Sequence, residues 1–292
     1  MRPENWRKRL ETEAERGLRR RLPDGGPPGP DALDCGSNDY LGLSRHPRVI
    51  QAARDALDEY GAGATASRLL RGNREIHEQL EERLAQLKGT ASALVYSSGY
   101  AANLGLLSAI ADRDDTIFCD SLDHASLVDG ARLARASLRF YNHGDPGHLE
   151  RQLARRTGSG HAWIVTDGVF SMDGALARVP ELLEVADAHD ATMVIDDAHA
   201  TGVLGPDGAG TLSHFGIDPS RAIQMGTLSK ALAAQGGYVC GPQELVDLLV
   251  QSSRAFIYST GLNPAAAAAA LEALRVSVEE PEWRERLHAN LA

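Results

Sequence analysis

A chain of 292 residues with 43% hydrophobic and 24% charged residues has the balance of a soluble globule, large enough for one substantial α/β domain with an appendage. Its formal net charge of -10 argues against broad nucleic-acid binding, which needs a basic face, although a few local arginines can still recognise an anionic small molecule. No uninterrupted apolar stretch of about 18 residues suggests a membrane span, and the basic amino terminus has no apolar segment behind it to act as a secretory signal, so the expected location is cytoplasmic.

Residues 5 to 21 read as a basic amphipathic helix ending in Arg19, Arg20 and Arg21, and LPDGGPPGPD after it as a loop. The turn-rich CGSNDYLGLS precedes Pro47, where a helix is expected to start and to run to about Glu59. YGAGATASRLLRGN holds too many small residues for a packed element and suits close approach to a ligand or a second subunit. Residues 74 to 88 have Ile76, Leu80, Leu84 and Leu87 on one helical face.

From Ser92 onward, short apolar runs alternate with helical ones. Strands are expected at SALVYS, DTIFCD, SLRFYN, AWIVTD, TMVIDD, AIQMGT and GGYVC, and the alternation implies a largely parallel sheet covered on both faces. A long helical pattern broken near Pro281 follows from Asn263 and leads to no further strand. Cys35, Cys119 and Cys240 lie too far apart for a disulfide framework or a zinc cluster, so no metal is expected and the cysteines read as small buried apolar residues.

Two stretches organise the rest. ATMVIDDAHATG is a buried strand whose carboxyl end presents Asp196, Asp197 and His199 to a crevice, and MGTLSKALAAQGGY is a strand whose following loop holds up Lys230. Of 30 basic residues only Lys8, Lys88 and Lys230 are lysines. Lys8 and Lys88 lie in charged, helical stretches, as solvated lysines do, whereas Lys230 sits among small residues after an apolar run. A lysine amine can be deprotonated and form an imine with an aldehyde, which a guanidinium cannot, and an acid on the opposite wall can keep a ring nitrogen protonated. An aromatic aldehyde cofactor suits that pair.

Three weaker candidates fall at the ends of other expected strands. The turn Ser97-Ser98-Gly99-Tyr100 opens a helix and is either a phosphate seat or a plain turn. His124 is either a satisfied structural histidine or a ring that stacks on a cofactor, and the Ser171 hydroxyl is placed to reach a cofactor oxygen. No GxGxxG follows an early strand, which disfavours a nucleotide-binding oxidoreductase.

SNDYLGLS, SSGYAAN, DSLDHASL, TDGVFSMDG, VIDDAHATGVLG, GTLSKALAAQGGY and IYSTGLNP, seven motifs in order, resemble the α-oxoamine synthases, pyridoxal-phosphate enzymes. The resemblance implies an aspartate aminotransferase-like large domain (PLP fold type I) with a mostly parallel seven-stranded sheet. Residues 1-45 would form an amino-terminal helix and connecting segment, 46-262 the cofactor-binding domain, and 263-292 the start of a carboxyl-terminal domain that family members continue for roughly another hundred residues, about the size of a small domain. That domain, which carries an arginine for the amino-acid carboxylate, would be missing here.

Carried over by position, the resemblance makes Lys230 the residue that forms the imine and moves the substrate proton. Asp196 pairs with the pyridinium nitrogen, His199 and Ser171 bond the phenolic oxygen, and His124 stacks on the ring. The amides of Gly99 and Tyr100 and the Thr227 hydroxyl hold the phosphate, and Arg19 and Asn38 fall at substrate-side positions. DYLGLS, TLSKA and IYST together point to the branch that condenses L-alanine with a pimeloyl thioester, on coenzyme A or a carrier protein, in biotin assembly, as a homodimer. The alternatives are a member using glycine and a short acyl-CoA, and a cofactor-binding fragment without activity. Arg71 replaces a small hydroxyl residue common in relatives, and ATAS replaces their glycine-rich run, at a substrate entrance or a subunit contact.

Overall fold

The computed structural model describes residues 3–22 and 34–291, in two compact units, 1–37 and 38–292. In the first unit the helix Pro3–Glu15 is shorter than the expected 5 to 21. Gly17 takes a left-handed φ of 69°, and the amides of Gly17 and Leu18 bond back to Ala14 and Glu13, which stops the helix before the arginines. Arg19, Arg20 and Arg21 are exposed beyond it. Apart from Leu22, the expected loop LPDGGPPGPD lies outside the described residues.

The second unit is built on seven strands: β1 (Ser92–Tyr96), β2 (Thr116–Asp120), β3 (Ser137–Tyr141), β4 (Ala162–Asp167), β5 (Ala191–Asp196), β6 (Ala222–Thr227) and β7 (Gly237–Gly241). They form one sheet in the order β1-β7-β6-β5-β4-β2-β3. All expected strands are present, and only β7 runs against its neighbours. The loop 228–236 joins β6 to β7 without a crossover helix, and a connection that short permits only an antiparallel neighbour.

Helices cover both faces, which explains why the strands read as near-continuous apolar runs. Side chains nevertheless alternate between faces with period two. Ala93 and Val95 join Leu80, Leu84 and Leu274 in one core cluster, whereas Leu94 and Tyr96 join Leu106, Leu107 and Leu249 in another. On β5, Val194 belongs to the second cluster, and Met193 and Ile195 to a third with Leu182 and Phe118. The helix Pro264–Glu279 lays an alanine-rich face on the first cluster, and the segment break at Pro281 separates it from the helix Glu282–Leu291. Cys119 and Cys240 are buried as expected, but Cys35 is exposed. Among the described residues no helix is long and apolar enough to cross a membrane.

Candidate active site

The parallel strands β4, β5 and β6 end side by side, and a cavity opens just beyond their carboxyl ends, where open α/β sheets hold ligands. It is lined by Gly99, Tyr100, His124, Ser171, Asp196, His199, Thr227 and Lys230, so every residue expected to hold a cofactor faces one space. Ser98, Asn103, Ser126, Asp167 and Ser229 complete its polar wall.

The alternation on β5 decides which aspartate takes part. Asp196 follows Val194 in parity and enters the cavity, where its Oδ2 accepts from Asn103 Nδ2 at 2.8 Å and its Oδ1 from the Ala198 amide at 2.9 Å. Asp197 follows Ile195 to the opposite face and is wholly buried, contrary to its expected place in the crevice. There its Oδ2 accepts from Lys88 Nζ at 2.6 Å, and its carboxylate also accepts from the amide and hydroxyl of Thr211. Lys88, expected in solvent, is therefore a buried cation. It ends the helix Glu75–Lys88, and the left-handed turn at Gly89 directs the chain into the sheet.

A second carboxylate, Asp167, lies opposite Asp196 in the β4–β5 register and lines the same cavity. Burial pushes both carboxyls up from the ordinary range, and for Asp167 the neighbouring Asp196 charge adds to the rise. The bonds from Asn103 and Ala198 and the nearby Lys230 oppose the rise at Asp196. Lys230 is held below the usual lysine range by burial, against the pull of Asp196 and then Asp167. The cavity thus brings together one amine held below its usual range and two carboxyls held above theirs.

The opposite end is built to receive an anion. Ser98 caps the helix Gly99–Ile110 through its hydroxyl on the Ala101 amide, and the Gly99 and Tyr100 amides head that helix with no intrahelical acceptor. Thr227 and Ser229 hydroxyls, 2.8 Å apart, stand beside them in the cavity wall. The seat depends on Gly237 of β7, because a Cβ there would lie 2.5 Å from the Gly99 nitrogen. His124 caps the helix Ala125–Ala134, its amide donating to Asp167 Oδ2 at 2.8 Å and its Nδ1 lying 2.7 Å from the Ser126 hydroxyl. Asn103 Nδ2 donates to both Ser126 and Asp196, tying the histidine to the acid. Its Oδ1 is buried without a hydrogen-bond partner among the described residues.

His199 lines the cavity half-buried, held down to about 4 by burial and then by Lys230 and His124. Asn38 does not line the cavity but bonds the Tyr40 hydroxyl, which in turn meets His199. Arg19 belongs to the separate amino-terminal unit. Arg71 is exposed in the wide helical turn Arg68–Gly72.

Asp167, Asn103, Ser126 and Tyr40 were not foreseen as site residues. Asp167 carries the same signal as Asp196, an apolar strand closed by an acid, but Asp120 at the end of β2 carries it too and bonds elsewhere, to His143 and the Gly144 amide. Asn103 lies one helical turn beyond Gly99, a spacing that would have found it.

The aminotransferase class I and II family model matches residues 30–292. The 8-amino-7-oxononanoate synthase 1 of Bacillus velezensis is 46% identical over 90% of this chain and 68% of its own length. A serine palmitoyltransferase of Sphingobacterium spiritivorum is 43% identical over 90% of this chain and 66% of its own. A solved serine palmitoyltransferase with its PLP internal aldimine superposes with a TM-score of 0.87 at 28% identity, covering 98% of this chain and 74% of that one. The chain spans about two thirds of the length of such curated relatives, 68% and 66% for two Bacillus proteins. By its motifs, its cavity and these likenesses, the chain belongs to the α-oxoamine synthase group of the class I and II aminotransferase family.

Proposed function

We propose that the chain binds pyridoxal 5'-phosphate at Lys230 and carries out the decarboxylative condensation of L-alanine with a pimeloyl thioester, as one subunit of a homodimer. The observation that carries this reading is that Lys230 and Asp196 line one cavity with an anion seat at its other end. The donor set fits the cofactor: the cavity wall offers the Asp196 carboxyl to a protonated ring nitrogen, the Lys230 amine to an aldehyde, and the Gly99 and Tyr100 amides, which head a helix with no intrahelical acceptor, to a phosphate.

When bound, the cofactor would supply an electron-poor ring that acts as an electron sink for the carbanion at the amino-acid Cα. Asp196, steadied by Asn103, keeps the ring nitrogen protonated. The Lys230 amine, whose proton affinity burial has lowered, takes the Cα proton and later returns one. His199 and Ser171 would bond the phenolic oxygen, His124 would cover the ring, and Gly99, Tyr100 and Thr227 would hold the phosphate. Overall a carbon–carbon bond forms to the acyl group, the thiol departs, the amino-acid carboxylate leaves as carbon dioxide and an amino ketone is released.

A second reading keeps this chemistry and changes the amino acid, because serine palmitoyltransferases stand close in sequence and structure. One methyl group is worth only about 1 to 3 kcal/mol in a pocket, so motifs separate alanine from glycine poorly. Steady-state assays of the cofactor-loaded protein with L-alanine, glycine and L-serine, each with pimeloyl-CoA and a short acyl-CoA, decide. Preference for L-alanine and pimeloyl-CoA by about ten-fold or more is expected. A preference for glycine or serine overturns the alanine assignment, and cofactor uptake without any product supports a binding role alone.

A further inference from the structure

The Tyr40 hydroxyl lies 2.6 Å from Nδ1 of His199 and 3.3 Å from Asn38 Oδ1. Its segment is pinned: Leu41 and Leu43, one and three residues after it, are wholly buried in the first core cluster, and the Tyr40 and Gly42 amides close turns onto Asn38 and Asp39. Gly42 makes that turn at a φ of 71°, where a side chain would be strained. The hydroxyl is therefore delivered to the imidazole by rigid backbone. The other ring nitrogen, Nε2, has no hydrogen-bond partner among the described residues, and the ring lines the cavity.

Two proton arrangements are compatible with those atoms. Either Tyr40 donates to Nδ1, so that the neutral ring carries its proton on Nε2, or Nδ1 donates to Tyr40, whose hydroxyl then donates to Asn38 Oδ1. The competing acceptors favour the first. Nδ1, at 2.6 Å and part-buried, is a close acceptor for the Tyr40 hydroxyl, whereas Asn38 Oδ1, at 3.3 Å and exposed, is a poor competitor for its proton. Burial raises Tyr40 and depresses His199, so both stay uncharged.

We propose that Tyr40 is a positioning residue that fixes His199 as the Nε2–H tautomer and so makes it a hydrogen-bond donor to an anionic oxygen in the cavity. Without Tyr40 the ring exchanges tautomers, and part of the population presents a lone pair to that oxygen. The identity of the oxygen, the phenolic oxygen of pyridoxal phosphate, rests on the function proposed above, but the tautomer does not.

Long-range proton–nitrogen correlation spectra of the cofactor-free protein, with His199 assigned by its loss in His199→Asn, read the tautomer directly. Wild type is expected to carry the His199 proton on Nε2 near neutral pH, and Tyr40→Phe to show mixed tautomers. Pyridoxal phosphate titration followed by its visible absorbance should show about ten-fold weaker uptake in Tyr40→Phe, in the range expected when one partner of a hydrogen bond is removed and the other is left unsatisfied. A wild-type ring protonated on Nδ1 overturns the inference, whether or not cofactor binds and even if the variant fails to fold. Unchanged tautomer and affinity in a folded Tyr40→Phe overturn it equally. Wild type with the expected tautomer that takes up no cofactor overturns the function proposed above and leaves this inference standing.

Discussion

At the scale of single residues, the facing carboxyls Asp167 and Asp196 govern the electrostatics of the cavity. Both are raised by burial, so the folded protein binds a proton there more tightly than the unfolded chain does. The stability linked to that proton is fully present below the ordinary carboxylate range, about pH 3.9, and is lost as pH rises through the raised values. Asp167→Asn is therefore expected to flatten the decline of the cofactor-free protein between about pH 4 and about pH 8, by about 1 kcal/mol or more in urea unfolding. Parallel wild-type and variant profiles would contradict this. Lys230 and Asp196 were legible in the sequence because each stands out from its surroundings, a rare lysine among small residues and an apolar strand ending in two acids with His199 close behind. Asp167 was not, since the same acid-ended pattern closes β2, β4 and β5 and only packing distinguishes them.

At the scale of elements, the strand ends set the chemistry through their alternation. Two adjacent aspartates at the end of β5 point to opposite faces, so one serves the cavity and the other anchors the helix Glu75–Lys88. Helical periodicity located that helix but gave Lys88 as solvated, because a lysine at a helix end normally is. What reverses this is a partner far along the chain, Asp197, together with the turn at Gly89, and no local pattern reports that contact. Lys88→Met would leave the Asp197 carboxylate buried beside Thr211 without its cation. Unfolding free energy is expected to fall by about 3–5 kcal/mol, as when one partner of a buried pair is removed, and a loss under about 1 kcal/mol would contradict it. The helix Pro3–Glu15 was overextended in sequence for a related reason: the arginines after Gly17 are good helix formers, but the glycine's left-handed turn ends the run first.

At the scale of the whole molecule, the site is assembled from the ends of β1, β2, β4, β5 and β6, segments spread from Ser98 to Lys230. The seven strands and their alternation with helices were readable because buried parallel strands are apolar runs of a characteristic length. The strand order and the antiparallel β7 were not, because pairing depends on which faces the helices cover. The central claim is that one amine at the edge of this cavity, Lys230 in the loop after β6, holds the cofactor. Since only Lys8, Lys88 and Lys230 are lysines, borohydride reduction of the protein loaded with pyridoxal phosphate, followed by peptide mass mapping, tests it without ambiguity. A single phosphopyridoxyl adduct on Lys230, absent from Lys230→Ala, is expected; an adduct on Lys8 or Lys88 instead, or none at saturating cofactor, would contradict the account.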